Sequence, residues 1–210
     1  MHPALCFTEL AGLFLSLTGY LCCLVALFIP RWLICSSGIL VNESFFLGLW
    51  QTCVMHDIGS SVCQNYGTLL GLPVEIQMGR ILVCLSLSAG ALGFLSSIPA
   101  LTCVKCLDHN QQHVRRTLVI FGAVLLELSG MLTFSFVSYL AHYSLEKYLD
   151  STIPKSLPRW EYGDAMFSGW IGGFLLLAGG TVLMISQLYI LQTVPQPIKT
   201  NRSSSNMEYV

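Results

Sequence analysis

The residues with the most chemistry to offer are cysteines, histidines and a few acids. Cys53 and Cys63 stand ten positions apart in a polar, turn-rich stretch, with His56 and Asp57 between them and Gln64, Asn65 and Tyr66 directly after. A pair so placed suits a disulfide in an oxidising compartment, and closing a loop of that size is worth about 2–3 kcal/mol in the chain-entropy model. Two free thiols sharing one segment are the alternative. Further on, Cys103, Cys106, His109 and His113 put four zinc-ligand types within eleven residues. Zinc sites usually set their ligand pairs further apart, so no metal is expected. Cys103 and Cys106 follow an apolar run instead, where reversible palmitoylation is common on the cytosolic face. Glu127 lies in the middle of another apolar run, where a charge costs at least about 2.5–3.5 kcal/mol on insertion scales. Protonation, or a bond to a polar neighbour, would meet that cost. A proton relay is not expected, because no second acid or base is read inside a span; Glu9 is placed at the edge of the first.

Catalysis finds no support. There is no nucleophile–base pair, phosphate loop or pair of intramembrane carboxylates. A thiol oxidoreductase needs closely paired cysteines at a redox cofactor; Cys53 and Cys63 lack the spacing, and Cys103-x-x-Cys106 is read as facing the reducing cytosol. No enzyme activity and no cofactor are expected. Net charge is −1 and no basic stripe with interleaved aromatics occurs, so a nucleic-acid partner is not expected either.

The elements that position these residues are set by hydropathy. Of 210 residues 54% are apolar and only 10% charged, against about a quarter charged in soluble domains. Four runs of roughly 20 residues or more are long enough to cross a bilayer core of about 30 Å as helix. They are 7–29, 80–101 (opened by Arg80), 117–141 and 165–190. The first has no basic leader, is too long for a secretory signal and lacks a small-residue cleavage site, so it is read as a retained span.

Four spans place both termini on one side. Lysines and arginines divide evenly between the two sides, and the basic-residue rule does not choose. The cysteine pair in 30–79 and the acceptor sequence Asn42-Glu43-Ser44 point outward, and Cys103 and Cys106 point inward. Segments 1–6, 102–116 and 191–210 are therefore read as cytosolic, and 30–79 and 142–164 as outer loops.

In the first outer loop, short β-prone pieces alternate with Gly, Ser and Asn turns. A tip at Asp57-Ile58-Gly59-Ser60-Ser61 is flanked by Cys53 and Cys63, so a cross-strand bridge would staple a sheet too small to bury a core of its own. In the second, Pro154 and Pro158 break helix and favour extended backbone. A further strand or turn docking on that sheet is expected. Gly169 with Gly173, and Gly93 with Ser97, put small residues on one face of a span for close helix packing. The tail is rich in Pro, Ser and Asn and is expected to be disordered. Its end, Tyr209-Val210, offers an apolar residue and a free carboxylate that can add a strand to a PDZ domain.

Trp32, Gly48-Leu49-Trp50, Cys53, Cys63 and Arg80 together resemble the first-loop signature of the claudins. The stretch from Glu161-Tyr162-Gly163 to Gly169-Trp170 looks like the family's acidic-aromatic-glycine lead into its fourth span, and many claudins end in Tyr-Val. The peripheral myelin and channel gamma-subunit groups share the first-loop signature. The Asn42 sequon favours the myelin group; chain length, the second-loop match and Tyr209-Val210 favour claudins. The resemblance implies a left-handed four-helix bundle bearing a small antiparallel extracellular β-sheet built from both outer loops. It implies location at plasma-membrane tight junctions, where protomers polymerise within one membrane and across two. Such strands seal the paracellular gap or line ion pores. The implied partners are claudin-like protomers in the same and apposed membranes, PDZ scaffolds of the zonula occludens type, and membrane lipid. The alternative is a four-span accessory subunit or adhesion protein.

In pore-forming members, charged side chains near the loop cysteines line the path, acids favouring cations and bases favouring anions. The matching window here holds His56, Asp57, Gln64 and Asn65, with Asp57 its one acid. A barrier, or a weakly cation-preferring one, is expected. His56 would add pH dependence only if it lines the path; the simpler reading is a solvated loop histidine. Trp50 is read as anchoring the sheet at the lipid interface, with Trp32 and Trp160 read the same way. Gly48 is read as permitting close backbone approach. Glu127 departs from the family pattern, as does the lack of a cysteine pair after the fourth span. Cys35 is an extra outer cysteine, either buried and free or paired between chains.

Overall fold

The computed structural model describes residues 3–36, 44–55, 60–68, 71–101, 112–149 and 159–193. Helix α1 (Pro3–Phe28) is followed by strands β1 (Leu33–Ser36), β2 (Ser44–Leu47), β3 (Gln51–Met55) and β4 (Ser61–Asn65). Then come α2 (Val74–Ser97) with a short 3-10 turn to Ala100, α3 (Gln112–Leu149), β5 (Arg159–Tyr162) and α4 (Asp164–Thr193). All four α-helices are long and apolar enough to cross a membrane.

Each helix buries one face against the others and leaves large apolar side chains on its outer face, such as Phe7, Phe14, Leu95, Phe121, Phe174 and Ile185. A helix apolar all round suits lipid rather than water. Helix α4 lies along both α1 and α3, and α3 lies along α2. Glycines meet at these seams. A Cβ on Gly19 would stand 2.7 Å from the Gly172 carbonyl, one on Gly179 2.7 Å from that of Gly12, and one on Gly122 2.7 Å from that of Gly93. Gly130 and Gly173 join α3 to α4 in the same way. Lipid tails are as apolar as leucine, so association rests on this close backbone contact and on polar bonds within the bundle. Ser86 supplies such bonds, reaching the Ser129 carbonyl at 2.8 Å and the Thr133 hydroxyl at 2.6 Å across α2 and α3.

The five strands form one antiparallel sheet in the order β4-β3-β2-β1-β5. The strand or turn expected from the second loop is a strand, β5, pairing Leu33 with Tyr162 and Cys35 with Trp160. Helix α3 runs on to Leu149, roughly 12 Å past residue 141 at 1.5 Å per residue. Helix α2 already starts at Val74, which sets Arg80 inside its second turn.

Two sequence-based expectations are corrected. Trp32 is not an interfacial anchor: it is 2% exposed, its ring packs on Phe136, and its Nε1–H donates to the Ala26 carbonyl at 3.0 Å. Glu9 is not a marginal residue. It is 1% exposed within α1, and the Gln187 side-chain amide of α4 donates to it at 2.7 Å. Glu9 and Glu127 thus both lie within helices long and apolar enough to cross a membrane. Cys35 is buried and free, and its burial pushes the thiol pKa upward.

Candidate functional site

The family-signature residues converge where the sheet meets the bundle. The chain leaves α1 at Phe28 and turns through Pro30 and Arg31 into β1. The Trp32 amide donates to Leu47 at 2.9 Å, and its carbonyl accepts from Gly163 at 3.0 Å. The link between β2 and β3 folds back over this turn. A Cβ on Gly48 would stand 2.6 Å from the Pro30 Cα and 2.9 Å from the Gln51 carbonyl, so only glycine fits. Leu49 is 2% exposed and points down to Gly79 of α2, where a Cβ would strike Phe136 and the Leu49 side chain.

Arg80 locks this turn from below. Its Nε–H donates to the Leu49 carbonyl at 2.7 Å, and its guanidinium lies 4.9 Å from the Trp50 ring centroid and 5.3 Å from that of Tyr66. Cation–π contacts of this kind are worth about 0.5–2 kcal/mol each. Tyr66 completes the knot by donating its hydroxyl to the Gly48 carbonyl at 3.1 Å. Burial pushes the Tyr66 phenol pKa up, against the opposing pull of Arg80, so it remains a neutral donor. Trp50 is 41% exposed, its ring shared between Arg80 and the surroundings.

At the other end of the sheet, Cys53 of β3 and Cys63 of β4 are directly opposed in register and disulfide-bonded, with Cα atoms 4.0 Å apart. All five residues of β4 are exposed. Gln64 and Asn65 lie on that strand, opposite Thr52 and Gln51, and strands β1 to β4 contain no charged residue. His56, Asp57 and, of the sequon, Asn42 and Glu43 fall outside the described residues. So do Cys103, Cys106, His109, Tyr209 and Val210. Among the described residues no group of three His, Cys, Asp or Glu side chains is placed to hold a metal ion. At the end of the bundle away from the sheet Cys6 is also disulfide-bonded, so bridges by themselves do not distinguish the two sides.

The β5 edge carries different features. Arg31 pairs with Asp164 at 3.5 Å and lies over the Phe46 ring; with both side chains exposed, the ion pair is worth about 0–1 kcal/mol. The Tyr162 hydroxyl donates to the Ala141 carbonyl at 3.2 Å. Between β5 and the last turns of α3 runs an open groove of about 270 Å³, lined by Ser144, Leu145, Tyr148, Trp160, Glu161 and Tyr162. Sequence reading missed the roles of Tyr66, Phe136 and this groove. Tyr66 stood beside the second cysteine, and its aromatic-hydroxyl chemistry was the one signal available for its part.

Comparison with known proteins agrees with this geometry. The model of the PMP-22/EMP/MP20/Claudin family matches residues 6–183. Claudin-4 of Chlorocebus aethiops is 31% identical over 178 residues, covering 83% of this chain and 84% of that protein. Claudin-3 of Rattus norvegicus is 30% identical over 181 residues, covering 85% and 81%. Claudin-1 of Rattus norvegicus is 26% identical over 207 residues, covering 96% and 97%. With the Trp32, Gly48-Leu49-Trp50, Cys53–Cys63 and Arg80 constellation assembled at one end of a four-helix bundle, the chain belongs to the PMP-22/EMP/MP20/claudin family and, within it, to the claudins.

Proposed function

We propose that this protein is a non-enzymatic strand component of tight junctions, polymerising within one plasma membrane and against its neighbour to set paracellular permeability. The sheet faces the extracellular gap and both termini face the cytosol. Tyr209-Val210 engages PDZ scaffolds of the zonula occludens type. Among the described residues no further strand pairs with β4 or β5, and the sheet has two different edges. Unpaired edges of this kind invite neighbouring protein, which suits head-to-tail association in a row.

The observation that carries the reading of permeability is the exposed, uncharged β4 with Gln64 and Asn65 beside the bridge. A surface without fixed charge gives neither ion an electrostatic advantage. The protein therefore seals, with at most a weak cation preference from Asp57. The test is expression in epithelial cells stripped of their own claudins, with contact imaging, transepithelial resistance and Na⁺/Cl⁻ dilution potentials. Contact-restricted strands and raised resistance are expected. Diffuse surface protein with no electrical change would instead indicate an accessory subunit of another membrane complex.

A further inference from the structure

We propose that the α2–α3 corner at the end of the bundle away from the sheet is a binding site for the phosphate of an anionic lipid headgroup, with Arg116 as its principal ligand and Arg115 as its second. The two arginines directly precede the apolar run of α3, at the depth where a spanning helix meets the headgroup layer. Their surroundings differ. Arg115 donates its Nε–H to the Ala100 carbonyl at 2.7 Å, closing the 3-10 turn that ends α2 and leaving its terminal nitrogens for another partner.

Arg116 is three and seven positions before Val119 and Ala123, which are 2% and 0% exposed, so it lies on the inward face of α3. Its Nε is buried with no hydrogen-bond partner, and no hydrogen bond or ion pair joins it to any described residue. Buried polar atoms are normally satisfied, and a partly desolvated guanidinium without an acceptor is costly. The first turn of α3 contains no acid, so the two cations also oppose the positive pole of their own helix. The acids of the spans do not relieve this: Glu9 is engaged by Gln187, and Glu127 lies roughly 16 Å further along α3. Ser97 Oγ is likewise buried without a partner. It belongs to the level of Gly122, roughly 9 Å deeper than Arg116, and takes no part.

One group answers all these deficits together. A phosphate monoester or diester offers several acceptor oxygens in the geometry that a guanidinium fork matches, and its charge offsets both arginines and the helix pole. Basic pockets between spanning helices hold anionic headgroups by this chemistry.

The test uses the full-length chain in nanodiscs of phosphatidylcholine, alone or doped with phosphatidylinositol 4,5-bisphosphate, with retained lipid counted by native mass spectrometry. Wild-type protein is expected to retain the anionic lipid, and R115Q and R116Q to weaken retention by roughly fivefold each. R116K keeps the charge but loses the fork and the Nε–H, and is expected to resemble R116Q. Equal retention by R116Q and wild type would overturn the proposal. Equal retention by R116K and wild type would overturn it too, because diffuse surface charge would then account for binding. Millimolar inorganic phosphate that displaces the lipid completely would reassign the corner to a soluble phosphate ester. Thermal unfolding of each variant identifies any that misfold, and R116K then carries the comparison alone. Junction strands play no part in this assay, so its outcome is separate from that of the proposed function.

Discussion

At its inner end the sheet is rooted in the bundle by a buried tryptophan, a glycine with no room for a Cβ, and an arginine held between two aromatic rings. At its outer end β4 is exposed along its whole length and is joined to β3 by backbone bonds and one disulfide. The inner end therefore behaves as an extension of the membrane-spanning core, where volume and hydrogen bonding are tightly specified. The outer end has no core to specify it, and a covalent staple supplies the order that packing cannot. Residues at the two ends should differ accordingly: substitutions at the anchor change whether the protein folds, and substitutions on β4 change what the folded surface does.

The hardest test of that division is at the anchor. Trp32→Ala removes a buried ring packed on Phe136 and leaves the Ala26 carbonyl without its donor. A loss of about 3–5 kcal/mol is expected, measured as detergent-resistant thermal unfolding and as retention inside the cell. Gly48→Val drives a side chain into the Pro30 backbone and should cost about 1–3 kcal/mol or more. Unchanged unfolding in either variant would mean that the sheet is not rooted there.

Breaking the staple should cost less. Cys53→Ser with Cys63→Ser is expected to lose about 2–3 kcal/mol, confined to the outer hairpin. Hydrogen exchange should then rise in β3 and β4 while β1, β5 and the helices keep their protection. Arg80→Gln is an intermediate case. It strips the Leu49 carbonyl of a charged donor and both rings of their cation, for about 1–3 kcal/mol. Protection should fall first around Gly48 to Trp50, leaving the disulfide intact.

What the sequence disclosed follows the same line. Hydropathy located four spans because lipid demands long apolar helices, and Cys53 with Cys63 marked a small sheet in need of a staple. Pro154 and Pro158, which themselves lie outside the described residues, pointed to a helix-breaking stretch ahead of β5. Trp32 was misread because an interfacial and a core tryptophan look alike in one dimension. Its place is decided by a carbonyl six residues earlier and a phenylalanine a hundred residues later. Glu9 was misread because its partner, Gln187, is 178 positions away. The outer turns of α3 were hidden by His142, Glu146 and Lys147, which end the apolar run without ending the helix.

The smallest structural change should give the sharpest functional one. Gln64 is exposed on β4 and pairs across to Thr52, so Gln64→Glu replaces an amide with a carboxylate of nearly equal shape. Surface changes of this kind usually move stability by within about 0.5 kcal/mol, and the unfolding temperature should not shift measurably. If β4 faces the paracellular gap, however, each protomer of a strand contributes one added negative charge to a confined path. Fixed acids on such a path favour cations, and the dilution potential should move toward Na⁺ while the strands look unchanged. The reverse substitution, Gln64→Lys, should move it toward Cl⁻. A pair of variants that fold like wild type and leave the potential unmoved would place β4 away from the ion path. The exposed strand would then be a contact surface between protomers, and the barrier would owe its selectivity to some other part of the sheet.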